Sequence, residues 1–442
     1  MLDIRSINFR KYLLVIGIGI IIIGFVIAPY DQFKTNIKYK KVSFLSQNDN
    51  ITITGNLYLP QNYNSSEFYP AVVLVHGIND RAERFHHAAV EFVHRNFIAL
   101  SINLRGHANS GGFCTLGDKE AWDIMGAADY LFSNHNISNL GVVGHSMGGM
   151  AAIRAAYNDT RFNATVVMGA PVSIDHIFSR TFSEFDVLVQ YHYLFSFHIN
   201  FSDSYEQYIH SSVFWINQTH PKNFFFVLGS LDAAATIQEA LLCLYNATGN
   251  TSAVENVKYG NFAYGNQTLL QIYPGINHPA EPTTPEIIKD TILWIEGAFN
   301  ITNGDLALEN MVQWNINPFW EPLILIGFVV FIFPCISYIS SAILDPKKIK
   351  RPKIGISLDP KKKILSLAIY TTVFIGASLI TFPIIETLNY ASWSPYNIAG
   401  LLANLFTIQG IFLAIGFLPI IYFERISYNI NWVDIGLNKK IT

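Results

Sequence analysis

Residues 140–149 read Leu140-Gly141-Val142-Val143-Gly144-His145-Ser146-Met147-Gly148-Gly149. The first part is a short apolar run, the pattern of a strand buried on both faces, and the Ala-rich stretch 147–157 that follows has helical periodicity. Between them Gly144, Ser146 and Gly148 fit G-x-S-x-G, a tight strand-to-helix turn that lifts a serine hydroxyl above a sheet edge. The glycines two before and two after have a steric reason: the serine backbone is strained and crowded by strand and helix, so its neighbours need minimal side chains. The helix that starts at Met147 also directs free N–H groups towards charge developing near Ser146.

Outward from this turn the chain alternates strands and helices. Residues 42–44 and 51–59 alternate apolar and polar, as antiparallel edge strands do; 71–75 is a continuous apolar run ending in His76-Gly77. Further strands are expected at 97–103, 165–169, 223–229 and 269–273, and helices at 82–95, 121–132, 237–245 and 285–299. This rhythm predicts an α/β fold, a mostly parallel sheet with helices on both faces. The aromatic-rich stretch 176–217 breaks it and reads either as a cap over the site or as a helical excursion packing into the core.

A serine hydroxyl needs a neighbouring base, and that base needs a carboxylate to fix its tautomer, in the chain order Ser, acid, His. His278, in the turn-rich stretch Tyr273-Pro274-Gly275-Ile276-Asn277-His278, follows the last strand, and Asp232, in Gly229-Ser230-Leu231-Asp232, follows the one before. Both fall at strand C-terminal ends, where open α/β sheets place ligands. Asp175 is the alternative acid. An oxyanion hole needs two backbone N–H groups, and Met147, after the serine, and Ile78, after His76-Gly77, are the expected donors. His76, His86 and His87 are expected to be structural.

These residues resemble the α/β-hydrolase superfamily, in its dienelactone-hydrolase-like, serine-aminopeptidase-like and monoglyceride-lipase-like branches. The matching pieces are Gly55-Asn56-Leu57-Tyr58-Leu59-Pro60, the strand into His76-Gly77, Asn103-Leu104-Arg105-Gly106-His107 with Ser110-Gly111, the serine turn, Gly229-Ser230-Leu231-Asp232 and Gly275-Ile276-Asn277-His278. The resemblance covers about residues 40–300 and implies a serine hydrolase in which Arg105 and His107 are structural, as organisers of the pocket rim. Ester hydrolysis is the expected reaction, and the aromatic insertion with an apolar anchor points to lipid-like or other acyl esters. A peptidase or amidase with the same triad, or a non-catalytic binding or transport accessory, are the alternatives.

The 442-residue chain has a mean hydropathy of +0.27 with only 14% charged residues, too apolar for an ordinary soluble protein. Residues 12–28 form an apolar run about long enough to span a membrane, which needs ~20 residues, and no A-x-A site follows it, so an uncleaved signal anchor over residues 1–30 is expected. After a linker at 303–321, the runs 322–344, 364–385 and 398–423 predict a three-helix membrane region over 322–442. The basic loop 345–363, with Arg5, Arg10 and Lys11 before the first run and Arg425, Lys439 and Lys440 after the last, puts both termini in the cytoplasm. Residues 31–302 then face outward; Lys34, Lys38, Lys40 and Lys41 dissent. The N-x-S/T sequons at Asn50, Asn64, Asn136, Asn158, Asn163, Asn200, Asn217, Asn246, Asn250, Asn266 and Asn300 all lie before residue 303 and argue for the same side, as a glycoprotein.

The formal net charge is −3 and no basic stripe carries interleaved aromatics, so no nucleic acid partner is expected. Cys114, Cys243 and Cys335 form no CxxC pattern; Cys114 and Cys243 could pair in an oxidising compartment, but read rather as isolated thiols. No His/Cys/Asp cluster has metal-ligand spacing, and no cofactor is implied.

Overall fold

The computed structural model describes residues 11–20, 22–23, 37–173, 204–304 and scattered positions between 307 and 373. Contacts divide the chain into two compact units, and the one that includes Ile37–Trp314 holds every element named below.

In chain order these are β1 (Tyr39–Leu45), β2 (Thr52–Tyr58), β3 (Tyr69–Val75), α1 (His86–His94), β4 (Ile98–Asn103), α2 (Glu120–Asn134), β5 (Ile137–His145), α3 (Met147–Asn158), β6 (Phe162–Met168), α4 (Ser204–His210), β7 (Phe224–Gly229), α5 (Ile237–Thr248), β8 (Thr268–Tyr273) and α6 (Pro285–Ala298). The eight strands form one sheet in the order β1-β2-β4-β3-β5-β6-β7-β8. β1 and β2 pair antiparallel, as does β2 with β4, and all the remaining pairs are parallel. This is an α/β-hydrolase-like sheet, with the antiparallel strands at one end as their alternating sequences predict.

Each central strand feeds two cores. In β3, Val73 and Val75 point into the layer shared with α2, α3 and α5, while Val72 and Leu74 point into the layer shared with α1 and α6. That two-sided burial is why β3 and β5 read as continuous apolar runs, whereas β1, exposed at the edge, alternates. Helix α5 is framed by a capping box, Thr236 with Glu239, and by Gly249 in the left-handed conformation at its end. Strand order reverses around β3, which lies between β4 and β5, so the crevice at the C-terminal ends of β3 and β5 is the topological switch point where such sheets take ligands.

Residues 11–20 are helical, but the three C-terminal runs expected to span a membrane lie outside the described residues except for isolated helical positions. Among the described residues no helix is long and apolar enough to cross a membrane. Of the 176–217 insertion, residues 204–217 are described; there Ile209, Val213 and Ile216 are buried, and Trp215 lies under the Arg154 guanidinium of α3. This end of the insertion therefore packs into the domain. Asn50, Asn64, Asn136, Asn158, Asn217, Asn250, Asn266 and Asn300 are exposed, Asn163 and Asn246 are half-buried, and Asn200 lies outside the described residues. Cys114 and Cys243 are both buried, and neither forms a disulfide.

Candidate active site

The turn between β5 and α3 holds Ser146 at φ 54°, ψ −124°, a backbone conformation that costs a side-chain-bearing residue roughly 1–3 kcal/mol. The surrounding glycines allow it. A Cβ on Gly144 would stand 2.3 Å from the Gly148 carbonyl oxygen, and one on Gly148 would stand 2.3 Å from that of His76. Both obstacles are backbone and cannot swing away. The Ser146 N–H is anchored to the Met168 carbonyl of β6 at 2.9 Å, and the Ser146 carbonyl accepts from the N–H groups of Gly149 and Met150. The strained turn is thus held from the neighbouring strand and from its own helix.

The other expected partners converge on this serine from different strand ends. Ser146 Oγ lies 2.9 Å from His278 Nε2, and His278 Nδ1 lies 2.8 Å from Asp232 Oδ2. With the carboxylate as acceptor, Nδ1 carries the proton and Nε2 faces the serine hydroxyl as a base. Asp232 is held in turn by the N–H groups of Ala234 at 2.6 Å and Ala235 at 3.0 Å, both bonded to Oδ1. Burial disfavours the Asp232 charge, but the His278 hydrogen bond and these two N–H groups outweigh it and hold the carboxyl below its ordinary range. Asp232 therefore also caps the turn after it, so its structural and chemical readings coincide. Asp175, the alternative acid, lies outside the described residues.

The loop after β3 carries Ile78, one of the two expected oxyanion donors, and Met147, the other, directly follows Ser146. Gly77 passes so close that a Cβ on it would stand 3.0 Å from the Ser146 Cβ, which brings Ile78 beside the serine turn. Among the described residues no acceptor is bonded to the N–H of Ile78 or of Met147, leaving both donors open. Two histidines fix this loop. His76 donates from Nδ1 to the Gly77 carbonyl and accepts the Leu104 N–H at Nε2; His107 donates from Nδ1 to the Arg105 carbonyl and accepts the Asn79 N–H at Nε2. Burial drives both imidazoles below their ordinary pKa, so each stays neutral and keeps its acceptor nitrogen.

Arg105 and His107, expected at the pocket rim, are interior. Arg105 is 1% exposed and forks to Asp123 Oδ1, Asp49 Oδ2 and Ser46 Oγ, each at 2.7 Å. It ties β1's outgoing turn to α2 rather than facing a substrate.

Two residues unremarked in the sequence complete the neighbourhood. Glu281, fully buried, accepts the Gly229 N–H at 2.6 Å, and His145 donates from Nε2 to the His278 carbonyl at 3.0 Å. His145, His278 and Glu281 bring donor atoms within 4.8 Å of one another, a spacing a metal ion could use. His278, however, has both ring nitrogens engaged with Ser146 and Asp232, so the trio reads as an acid–base cluster. Nothing in the sequence near Glu281 marked it, since a carboxylate at the start of a helical stretch is an ordinary N-terminal residue.

The sheet order and a serine at the β5–α3 turn, backed by a histidine and an acid from the β8 and β7 loops, define a serine-hydrolase-type α/β fold. Residues 67–199 match the hydrolase family described as serine aminopeptidase, S33. A search of curated proteins finds no match. Among solved structures, an esterase of Pyrococcus furiosus, Pf2001, aligns at 20% identity over 61% of this chain and 94% of its own, with a TM-score of 0.44. The α/β hydrolase GrgF from Penicillium sp. sh18 aligns at 14% identity over 60% of this chain and 99% of its own, TM-score 0.44. An acylaminoacyl peptidase of Pyrococcus horikoshii aligns at 14% identity over 63% of this chain and 44% of its own, TM-score 0.43.

Proposed function

We propose that the protein is a membrane-anchored serine hydrolase that cleaves carboxylic esters, with Ser146 as nucleophile, His278 as general base and acid, and Asp232 orienting the imidazole. The observation that carries this reading is the unbroken line from Ser146 Oγ to His278 Nε2 at 2.9 Å and from His278 Nδ1 to Asp232 Oδ2 at 2.8 Å. Ser146 Oγ attacks the acyl carbon as its proton passes to His278 Nε2, and the carbonyl electron pair moves to oxygen, where the Ile78 and Met147 N–H groups receive it. Collapse of this intermediate expels the alcohol, protonated by His278. Water, deprotonated by the same nitrogen, then releases the acid and restores Ser146.

A peptidase or amidase is the second reading, favoured by the description of the family matched over residues 67–199. Leaving-group preference decides between them. On a panel of p-nitrophenyl esters of rising chain length set beside aminoacyl p-nitroanilides, the ester reading expects turnover of esters and none of the anilides; rapid anilide cleavage would overturn it. The apolar runs at both ends of the sequence support anchoring in a membrane, and the basic loop with the exposed sequons supports an outward-facing domain. Its substrate in that setting is a small or lipid-like acyl ester.

A further inference from the structure

Glu281 is 0% exposed, yet among the described residues it has no ion pair with a Lys or Arg. Its Oε1 accepts the Gly229 N–H at the end of β7, and among the described residues its Oε2 meets no N–H donor within hydrogen-bond distance. A Cβ built on Gly169 would stand 2.1 Å from that Oε2, 2.6 Å from Asp232 Oδ2 and 2.8 Å from His278 Nδ1. The two carboxyl groups therefore face each other across a space that only a glycine leaves open. The other titratable groups around them are His278 from the same loop and His145 from β5, whose Nε2 is 3.7 Å from Glu281 Oε2. Arg84, from the turn before α1, donates to the Pro279 carbonyl rather than to either acid. Burial holds His145 neutral, and among the described residues no Lys or Arg pairs with either acid to offset a second negative charge.

We propose that Glu281 is kept as a neutral carboxylic acid that turns its Oε2–H to the Asp232 carboxylate, making it the positioning residue that ties the end of β7 to the loop carrying His278. The proposal rests on the triad assignment above for its effect on turnover, but the state of the acid pair does not depend on it. Burial, and then the Asp232 charge, push the Glu281 carboxyl up to about 9, in keeping with a proton retained at neutral pH. Two carboxyl groups sharing one buried site cannot both ionise cheaply, and Asp232, bonded to His278 and two N–H groups, is the one that does.

The test compares the full-length protein with Glu281→Gln, which keeps shape and an N–H donor, and Glu281→Leu, which keeps neither. At pH 7.5 with p-nitrophenyl acetate, Glu281→Gln stays within about threefold of wild-type kcat, while Glu281→Leu loses about 10- to 100-fold in kcat with KM little changed. Above about pH 9 wild-type kcat falls as Glu281 ionises beside Asp232, and that of Glu281→Gln does not. The melting temperature gives a readout independent of catalysis. Glu281 has a folded pKa above its unfolded value of 4.5, so its stabilising contribution is complete below that value and drains away as pH rises towards 9. The difference in Tm between Glu281→Gln and wild type should therefore widen from pH 5 to pH 9 and then level off. A difference that is flat with pH overturns the neutral acid, and a Gln variant as slow as the Leu variant overturns the positioning role. A wild type that hydrolyses nothing and takes up no fluorophosphonate would instead sink the triad assignment, with the melting curves still deciding the acid pair.

Discussion

The α-carbon of Gly148 lies against the backbone of His76 so closely that a Cβ there would stand 2.3 Å from the His76 carbonyl oxygen and 2.6 Å from that of Val75. The serine turn and the end of β3 that leads into the Ile78 loop are thus fixed to each other by contact, not only by their strands. Gly148→Ala is expected to cost more than about 3 kcal/mol or to prevent folding, because only a backbone shift relieves the clash. Chemical denaturation would read this as a lower midpoint at unchanged slope. A variant as stable as wild type would show that the two loops are not in contact.

Ser146 is held at a positive φ that carries a cost for any residue with a Cβ, so removing its Cβ should relieve strain. Both Ser146→Ala and Ser146→Gly should lose at least about 10³-fold in kcat. Ser146→Gly should nevertheless be more stable than Ser146→Ala by about 1 kcal/mol, the reverse of the usual order, because φ 54° suits glycine and not alanine. The measurement is a pair of denaturation curves, and the ordinary order would argue that the turn is unstrained.

Acid should weaken the domain. His76, His86, His87, His107 and His145 are all pushed by burial below the ordinary imidazole value of 6.5, His86 to about 4 and His87 to about 3. The unfolded chain takes up protons below about pH 6.5 that the folded protein cannot, so stability is present above that pH and falls as pH falls. Each histidine contributes a slope of at most about 1.4 kcal/mol per pH unit. Glu281 and Asp123, raised chiefly by burial to about 9 and about 6, act in the opposite direction, but they are outnumbered. Melting temperature should therefore drop from pH 7 to pH 5; a flat or rising trend would mean that these histidines are not neutral in the fold.

The convergence of Ser146, Asp232 and His278 is legible in the sequence because each lies within five residues of the end of an apolar strand and they come in the order Ser, acid, His. The parallel sheet is legible for a related reason, since strands buried on both faces, such as β3, carry unbroken apolar runs. Glu281 and Gly169 are not. Glu281 sits in a turn-rich loop just before α6, where a carboxylate is ordinary, and its burial arises only when the ends of β6, β7 and β8 meet. Arg105 is readable as structural but not as interior, because Asp123, its partner 18 residues on, announces itself by no local pattern. The apolar terminal runs are plain in composition, yet apolarity alone does not determine how they pack.

Arg105 should matter for stability rather than turnover. With its side chain 1% exposed and that of Asp123 fully buried, Arg105→Met leaves a carboxylate unpaired and should cost about 3–5 kcal/mol. Arg105→Lys should recover little, since one ammonium cannot reach Asp123, Asp49 and Ser46 as the guanidinium fork does. Adding Asp123→Leu to Arg105→Met should restore part of the loss, and a double variant no better than the single would contradict the pairing.

The proposed outward orientation makes a prediction of its own. Produced in a cell that glycosylates secreted proteins, the chain should lose apparent mass on endoglycosidase treatment, and substituting exposed sequons such as Asn64, Asn217 and Asn266 by Gln should each remove part of that shift. A chain of unchanged mass would place the domain on the other side.

The central claim is that Ser146 is a nucleophile activated by His278 and Asp232. Its most direct test is labelling of the purified protein with a fluorophosphonate probe, which bonds covalently to an activated serine. Wild type should label at Ser146, located by peptide mapping, while Ser146→Ala should not label and His278→Gln should label at least about 10²-fold more slowly. A folded wild type that takes up no probe, or a Ser146→Ala variant that labels as well as wild type, would contradict the account.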